Sequence, residues 1–127
     1  MIGVLVVDDH PVLRAGLEAV LRAEPGFACL GVAPDGAELR RILTRTRPDV
    51  VILDRRLGDE DGLVLCRELR DEPGAPEVVV YTADAVDPDL DARAREAGAC
   101  DVVEKGHAID ELFDAVRLAA RGRTAAA

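Results

Sequence analysis

The sequence has no tryptophan, one tyrosine and two phenylalanines, so aromatic residues make up only 2% of its 127 positions. Its core has to be aliphatic, built from Val, Leu, Ile and Ala. Cysteine is scarce too: Cys29, Cys66 and Cys100 are odd in number and widely scattered. That pattern matches neither a disulfide framework nor a zinc site, and it makes a reducing cytoplasm the default expectation. Basic residues are in deficit, 16 against 25 acidic ones, for a net charge of −9. Direct nucleic-acid binding requires a basic face, and this balance argues against one. Apolar runs such as Val50–Leu53 and Val78–Tyr81 are far too short to cross a membrane. Met1-Ile2-Gly3 enters a strand-like run without a basic n-region, so no signal peptide is expected. The length fits one domain of ordinary size.

Short apolar runs alternate with longer amphipathic stretches, five times over. The predicted strands are Gly3–Val7, Ala28–Val32, Asp49–Leu53, Glu77–Tyr81 and Cys100–Glu104. Two of them, Val4–Val7 and Val50–Leu53, are unbroken β-favouring runs, as in strands covered on both faces. Pro11 reads as a first-turn helix residue, with Leu13, Leu17, Val20 and Leu21 marking one face. Asp35 with Glu38 reads as a capping box, and Pro48 stops that segment. Asp61 caps a third helix, a fourth begins near Asp87-Pro88, and a fifth runs from about Ala108 to Gly122. Strict alternation implies a parallel sheet with helices on both faces, and right-handed crossovers limit it to a doubly wound order. Residues 1–121 form the expected domain, and 122–127 a tail or the start of a linker.

Such sheets bind ligands beyond the carboxyl ends of their strands, where the winding reverses. Those ends carry Asp8 and Asp9, Asp54, Thr82 and Lys105; the second strand delivers nothing distinctive. Three carboxylates brought together repel one another, and a hard divalent cation such as Mg²⁺ relieves this. A lysine can pair with Asp54 and then with a phosphoryl oxygen, and a hydroxyl can donate to another. A carboxylate nucleophile, a metal, a lysine and a hydroxyl together suit formation of an aspartyl phosphate. Each motif alone has an ordinary explanation: paired acids often form a solvated turn, and Asp9 also reads as a cap of the first helix. Together, in register at the strand ends, they read as a site.

The chain resembles the receiver domain of bacterial response regulators over residues 1–121. The match rests on Val6-Val7-Asp8-Asp9-His10-Pro11, Leu53-Asp54, Asp61-Gly62, Thr82-Ala83, Ala97-Gly98-Ala99 and Lys105. The stretch from Asp8 to Leu17 is most like the NarL/FixJ branch, whose members usually carry a C-terminal helix-turn-helix. The resemblance implies a flavodoxin-like five-stranded parallel sheet flanked by five helices, strand order 2-1-3-4-5. It implies that Asp54 accepts a phosphoryl group from a histidine kinase or small phosphodonor. It implies Mg²⁺ held by Asp9 and Asp54 directly, by Asp8 largely through water, and by the Arg56 carbonyl. Thr82 and Lys105 would contact the phosphoryl group. The implied product is a phosphorylated switch, not an enzyme, that controls an output domain or partner, most often in transcription. Homodimerisation on phosphorylation and a cytoplasmic setting follow from the same resemblance; an appended helix-turn-helix, not this domain, would touch DNA.

The chain departs from the family pattern in three places. The loop after Asp54 reads Leu57-Gly58-Asp59 where Met/Leu-Pro-Gly is usual, Gly106 replaces a proline after Lys105, and Val102 holds the place of an aromatic switch residue. Signal transmission is therefore expected to run without a rotating ring. His10 reads as a loop residue at the rim, His107 as a helix-start residue, and Tyr81 as core by strand alternation. Two rivals fare worse. A haloacid-dehalogenase-type phosphatase wants Asp-x-Asp after its first strand, where His10 stands at the second acid position. A flavodoxin-like binding module wants a phosphate loop or G-x-G-x-x-G, and neither occurs.

Overall fold

Strands that are apolar at every position can be buried on both faces, and this chain uses that property to divide its core in two. The computed structural model describes residues 1–126, with side chains through Arg123. Numbering only the strands of the main sheet, they are β1 (Ile2–Val7), β2 (Phe27–Ala33), β3 (Val50–Leu53), β4 (Glu77–Thr82) and β5 (Asp101–Glu104). All pairings are parallel, in the order 2-1-3-4-5. The helices are α1 (Pro11–Ala23), α2 (Gly36–Leu43), α3 (Gly62–Arg70), α4 (Pro88–Glu96) and α5 (Ile109–Ala126). Every predicted strand is present, with boundaries within one residue of expectation.

Alternate residues of each strand enter opposite layers. Leu5, Val7, Val51, Leu53, Val78 and Val80 face α2, α3 and α4. Val4, Val6, Val50, Ile52, Val79 and Tyr81 face α1 and α5, where the two phenylalanines, Phe27 and Phe113, meet at 5.1 Å between ring centres. Tyr81 is thus core, as strand alternation predicts.

Helix starts follow the sequence signals with one exception. Asp35 accepts from the Glu38 amide at 2.9 Å, Asp61 from Leu63 at 2.9 Å and Asp87 from Leu90 at 2.8 Å. Helix α1 instead begins at His10-Pro11 with no side-chain cap, so Asp9 is not spent on capping. Leu17 and Leu21 form its buried stripe, whereas Val20 is 39% exposed and falls off it.

The predicted stop at Gly122 is corrected. Helix α5 continues through Gly122 to Ala126, and Ala127 lies outside the described residues. An interior glycine weakens a helix by about 1 kcal/mol. Here the last turns are tied down, because Arg123 donates to the carbonyls of Ala75 and Gly74. Among the described residues no helix is long and apolar enough to cross a membrane.

Candidate functional site

Hydrogen bonds of the sheet run one residue past the strands and fix the backbone of the cleft. The Asp8 amide donates to Ala33 at 3.0 Å, Asp54 to Val7 at 3.0 Å and Lys105 to Thr82 at 2.7 Å. Residues on loops by secondary structure are therefore held with strand-like precision. Asp8, Asp54 and Thr82 are 2%, 4% and 1% exposed, the only buried polar side chains among the described residues. Buried polar groups need partners. Lys105 Nζ donates to Asp8 Oδ2 at 2.8 Å and to Asp54 Oδ2 at 2.9 Å, bridging the first and third strand ends. Burial alone would lower the Lys105 pKa, but the bonds to Asp8 and Asp54 outweigh it and hold the ammonium above its ordinary value. Its charge is accordingly retained throughout the physiological range.

Asp9 lies toward the mouth. Its Oδ2 accepts from the Gly58 amide at 2.8 Å, and its Oδ1 is buried without a hydrogen-bond partner. A carboxylate oxygen without a hydrogen bond, beside two other acids, can accept a cation. Ligand atoms of Asp8, Asp9, His10 and Asp54 lie within 4.8 Å of one another. The donor set and the orphaned oxygen both fit a divalent metal.

The loop after Asp54 is a two-residue hairpin, Arg56–Leu57 against Glu60–Asp61, so the variant Leu57-Gly58-Asp59 sequence does turn, with Gly58 at φ +60°. The Arg56 amide donates to Asp54 Oδ1 at 3.3 Å, placing its backbone beside the acid. Glu60 Oε1 accepts from Gly36 at the start of α2, at 3.0 Å. At the far end Gly62 donates to the Arg55 carbonyl at 2.6 Å, and a Cβ on it would stand 2.0 Å from the Asp54 carbonyl oxygen. Only glycine fits that approach. Gly62→Ala is expected to destabilise the protein by about 1–3 kcal/mol, as overpacking against backbone does. A urea midpoint unchanged from wild type would contradict it.

All the sequence-predicted residues, Asp8, Asp9, Asp54, Arg56, Thr82 and Lys105, thus border one cleft. Sequence reasoning missed three others. His10, at the rim as expected, also touches the acids: its Nδ1 lies 3.0 Å from Asp8 Oδ1, 3.2 Å from Asp9 Oδ1 and 3.7 Å from Asp54 Oδ2. Gly58 holds Asp9 through an amide that the family's usual proline lacks. Arg55 donates to Asp84 Oδ2 at 2.8 Å, alongside Arg56 Nε at 3.2 Å. Hydrogen bonds from Arg55 first, then Arg56, hold the Asp84 carboxyl below its ordinary value. No periodicity or cap marks these three; only the folded loop brings them in. Elsewhere, His107 bonds Glu104 and Glu111 at the surface. The cysteines are free and protonated at neutral pH, burial pushing Cys66 up to about 11 and burial with Glu77 pushing Cys100 up to about 12.

A parallel doubly wound sheet with three acids, a lysine and a threonine at its carboxyl edge defines a class as well as a fold. A profile of the response regulator receiver domain matches residues 4–117. The transcriptional regulatory protein LiaR of Bacillus subtilis is 37% identical over 126 residues, covering 96% of this chain and 57% of LiaR. A protein-glutamate methylesterase/protein-glutamine glutaminase of Myxococcus xanthus is 37% identical over 128 residues, 98% of this chain and 37% of that protein. The signal receiver domain of NarL from Mycobacterium tuberculosis superposes with a TM-score of 0.86 at 29% identity, over 95% of this chain and 97% of that one. The chain belongs to the receiver domain family of two-component response regulators, on its NarL branch. It spans little more than half the length of LiaR and about a third of the methylesterase, at 57% and 37%.

Proposed function

We propose that Asp54 accepts a phosphoryl group and that the domain relays this event to an output. The observation that carries the reading is the Asp54 carboxylate, buried at the end of the central strand and flanked by a lysine, two acids and a nearby threonine. One oxygen of Asp54 attacks phosphorus as the bond to the donor's leaving group breaks, giving an acyl phosphate. Lys105 Nζ, already 2.9 Å from Asp54 Oδ2, is placed to neutralise a phosphoryl oxygen. Asp9 and Asp54 would hold Mg²⁺ directly, Asp8 largely through water, and the Arg56 carbonyl would join them. The ion would offset charge among the acids and on the phosphoryl oxygens.

Thr82 Oγ1 accepts from the Asp84 amide at 3.1 Å. For its hydroxyl to turn toward a phosphoryl group, that bond has to be exchanged and the loop leading to α4 has to shift. Val102, 9% exposed, supplies no ring for a swinging reporter, so the loop itself is the moving part. The donor in this reading is a histidine kinase in the cytoplasm, and the phosphorylated state favours a homodimer. The name of the LiaR relative supports a transcriptional output, carried by a segment beyond this domain.

The test is thermal unfolding with and without Mg²⁺, alongside mass spectrometry after acetyl phosphate treatment. An ion at about ten times its Kd stabilises the folded state by roughly 1.4 kcal/mol, and the melting temperature should rise by several degrees. Asp9→Asn is expected to remove most of the increment. Equal responses of variant and wild type would put the metal elsewhere, and a wild type that stays unphosphorylated would reject the acceptor role.

The Arg55–Asp84–Arg56 cluster bridges the two loops that flank water's path to the site. An exposed ion pair is worth about 0.2–1 kcal/mol, which limits its effect on dephosphorylation to roughly fivefold. Arg55 is the less exposed partner, at 20% against 70% for Arg56. Arg55→Gln is therefore expected to be coupled to Asp84→Asn in a double-mutant cycle of dephosphorylation rates, with a smaller coupling for Arg56→Gln. The coupling should also shrink at high salt. Additive effects throughout would leave the three as unlinked surface charges.

A further inference from the structure

Resting on the phosphoacceptor reading above, we infer that Glu104 is a positioning residue of the switch: its carboxylate latches the loop between β4 and α4 in the resting position, and the charge on His107 sets the strength of the latch. Glu104 pairs with Thr82 across the two last strands, so it lies beside the hydroxyl that has to move. Side chains two apart on a strand share a face, which puts Glu104 on the side of Val102, toward α4. Val102 packs into the core on that side, whereas Glu104 reaches the loop: its Oε1 accepts from the Val86 amide at 3.3 Å.

Val86 stands between Asp84, whose amide donates to Thr82 Oγ1 at 3.1 Å, and Asp87, which caps α4. The loop is thus tied at two backbone amides, two residues apart, one to Thr82 and one to Glu104. Freeing the Thr82 hydroxyl for a phosphoryl group gives up the first tie. The shift of the loop then pulls against the second. Glu104 opposes the same movement that phosphorylation drives.

The other oxygen of Glu104 is held as well. Oε2 lies 2.7 Å from His107 Nε2, and the opposite ring nitrogen, Nδ1, lies 3.0 Å from Glu111 Oε2 in the first turn of α5. An ionised carboxylate only accepts and a neutral imidazole carries one N–H, so both bonds at once require the imidazolium. Glu111 first, then Glu104, accordingly hold the His107 pKa above its ordinary value. Among the described residues these two acids are the charged groups that face the ring, and Lys105 reaches the other way, to Asp8 and Asp54. Loss of the proton leaves one N–H for two carboxylates and slackens the hold on Glu104. The latch is firm below the ordinary histidine value, about 6.5, and loosens as pH rises through the higher folded one.

A latch on the resting loop lowers the apparent affinity for any phosphoryl mimic, because binding has to overcome it. The experiment is a beryllofluoride titration of the whole chain in Mg²⁺, followed by NMR, with amide exchange read at Val86. Glu104→Ala is expected to lower the midpoint about two- to fivefold, the range open to an exposed contact. Its Val86 amide should exchange fast from the outset, whereas in the wild type that amide becomes fast only when beryllofluoride is added. Glu104→Gln keeps an oxygen for the Val86 amide and should restore part of the slow exchange. The wild-type midpoint should exceed that of His107→Ala most at about pH 6 and approach it by about pH 8.5. An unchanged midpoint in Glu104→Ala, slow Val86 exchange in that variant, or a wild-type to His107→Ala ratio that is flat with pH overturns the inference. If the wild type does not bind beryllofluoride, or Asp54→Ala binds it equally well, the phosphoacceptor reading itself fails and the latch falls with it.

Discussion

Asp54→Ala is expected to take up no phosphoryl group from acetyl phosphate under conditions that label the wild type, and to remain folded. The loss is complete and not graded, because the bond to phosphorus is made by an oxygen that alanine lacks. Neighbouring acids are poor substitutes. Asp8 has Oδ1 engaged by the His10 amide and ring and Oδ2 by Lys105, and Asp9 has Oδ2 held by Gly58. Asp54 Oδ1, by contrast, receives only the Arg56 amide at 3.3 Å, the longest bond in the cleft. Stability should change little. Removing one carboxylate relieves repulsion, and Lys105 keeps its bond to Asp8 at 2.8 Å. Intact-mass spectrometry reads the first half and a thermal melt the second. A phosphorylated Asp54→Ala protein would sink the assignment.

Removing Lys105 should do the opposite and damage the fold itself. Asp8 and Asp54 side chains are 3% and 5% exposed, and Lys105 is the cation that bonds both. Deleting one partner of a buried ion pair costs about 3–5 kcal/mol, since it strands the charges left behind. The mouth of this cleft admits water, so Lys105→Met is expected to cost about 2–3 kcal/mol without divalent ions. Asp8→Asn in the same background should recover part of the loss, because it removes one of the stranded charges. The sign with pH follows. A lysine whose pKa is raised by folding contributes stability that is fully present below its unfolded value, about 10.4, and is lost as pH rises through the higher folded one. The wild-type advantage over Lys105→Met should therefore persist across neutral pH and fade only in strong alkali. Urea midpoints measured with and without Mg²⁺ decide it; a Lys105→Met protein as stable as wild type would mean that the acids are already neutralised by other means.

The elements of the fold were legible because each carried its own local signal. Val4–Val7 and Val50–Leu53 are β-favouring along their whole length, and Asp35, Asp61 and Asp87 are cap residues followed by apolar stripes. The acids and the lysine were legible for a topological reason: in a parallel sheet, the residue after each strand lands at a common edge. What could not be read was the path of the loop between Asp54 and Gly62. Its hairpin follows from Gly58 at φ +60° and from contacts to Asp9 and Gly36, 49 and 24 residues distant in the chain. Arg55 and His10 acquire their partners only once that loop and the turn at Asp9 are in place. Helix α5 overran its predicted end because the bonds of Arg123 to Gly74 and Ala75 are long-range. Composition places no such anchor.

The scarcity of aromatic residues gives the molecule a built-in optical property. Tyr81, 6% exposed, is its one tyrosine, and no tryptophan is present to outshine it. The ring lies 5.8 Å from Lys105 Nζ, and burial holds its phenol in the neutral form well into alkaline solution. Phenol emission from the domain therefore originates at a single ring next to the cation that joins Asp8 to Asp54, and Phe27 and Phe113 emit only weakly beside it. Any event that draws the ammonium away alters the field across that ring. Tyrosine emission is thus expected to report the charge state of the cleft, with no dye, label or added reporter group.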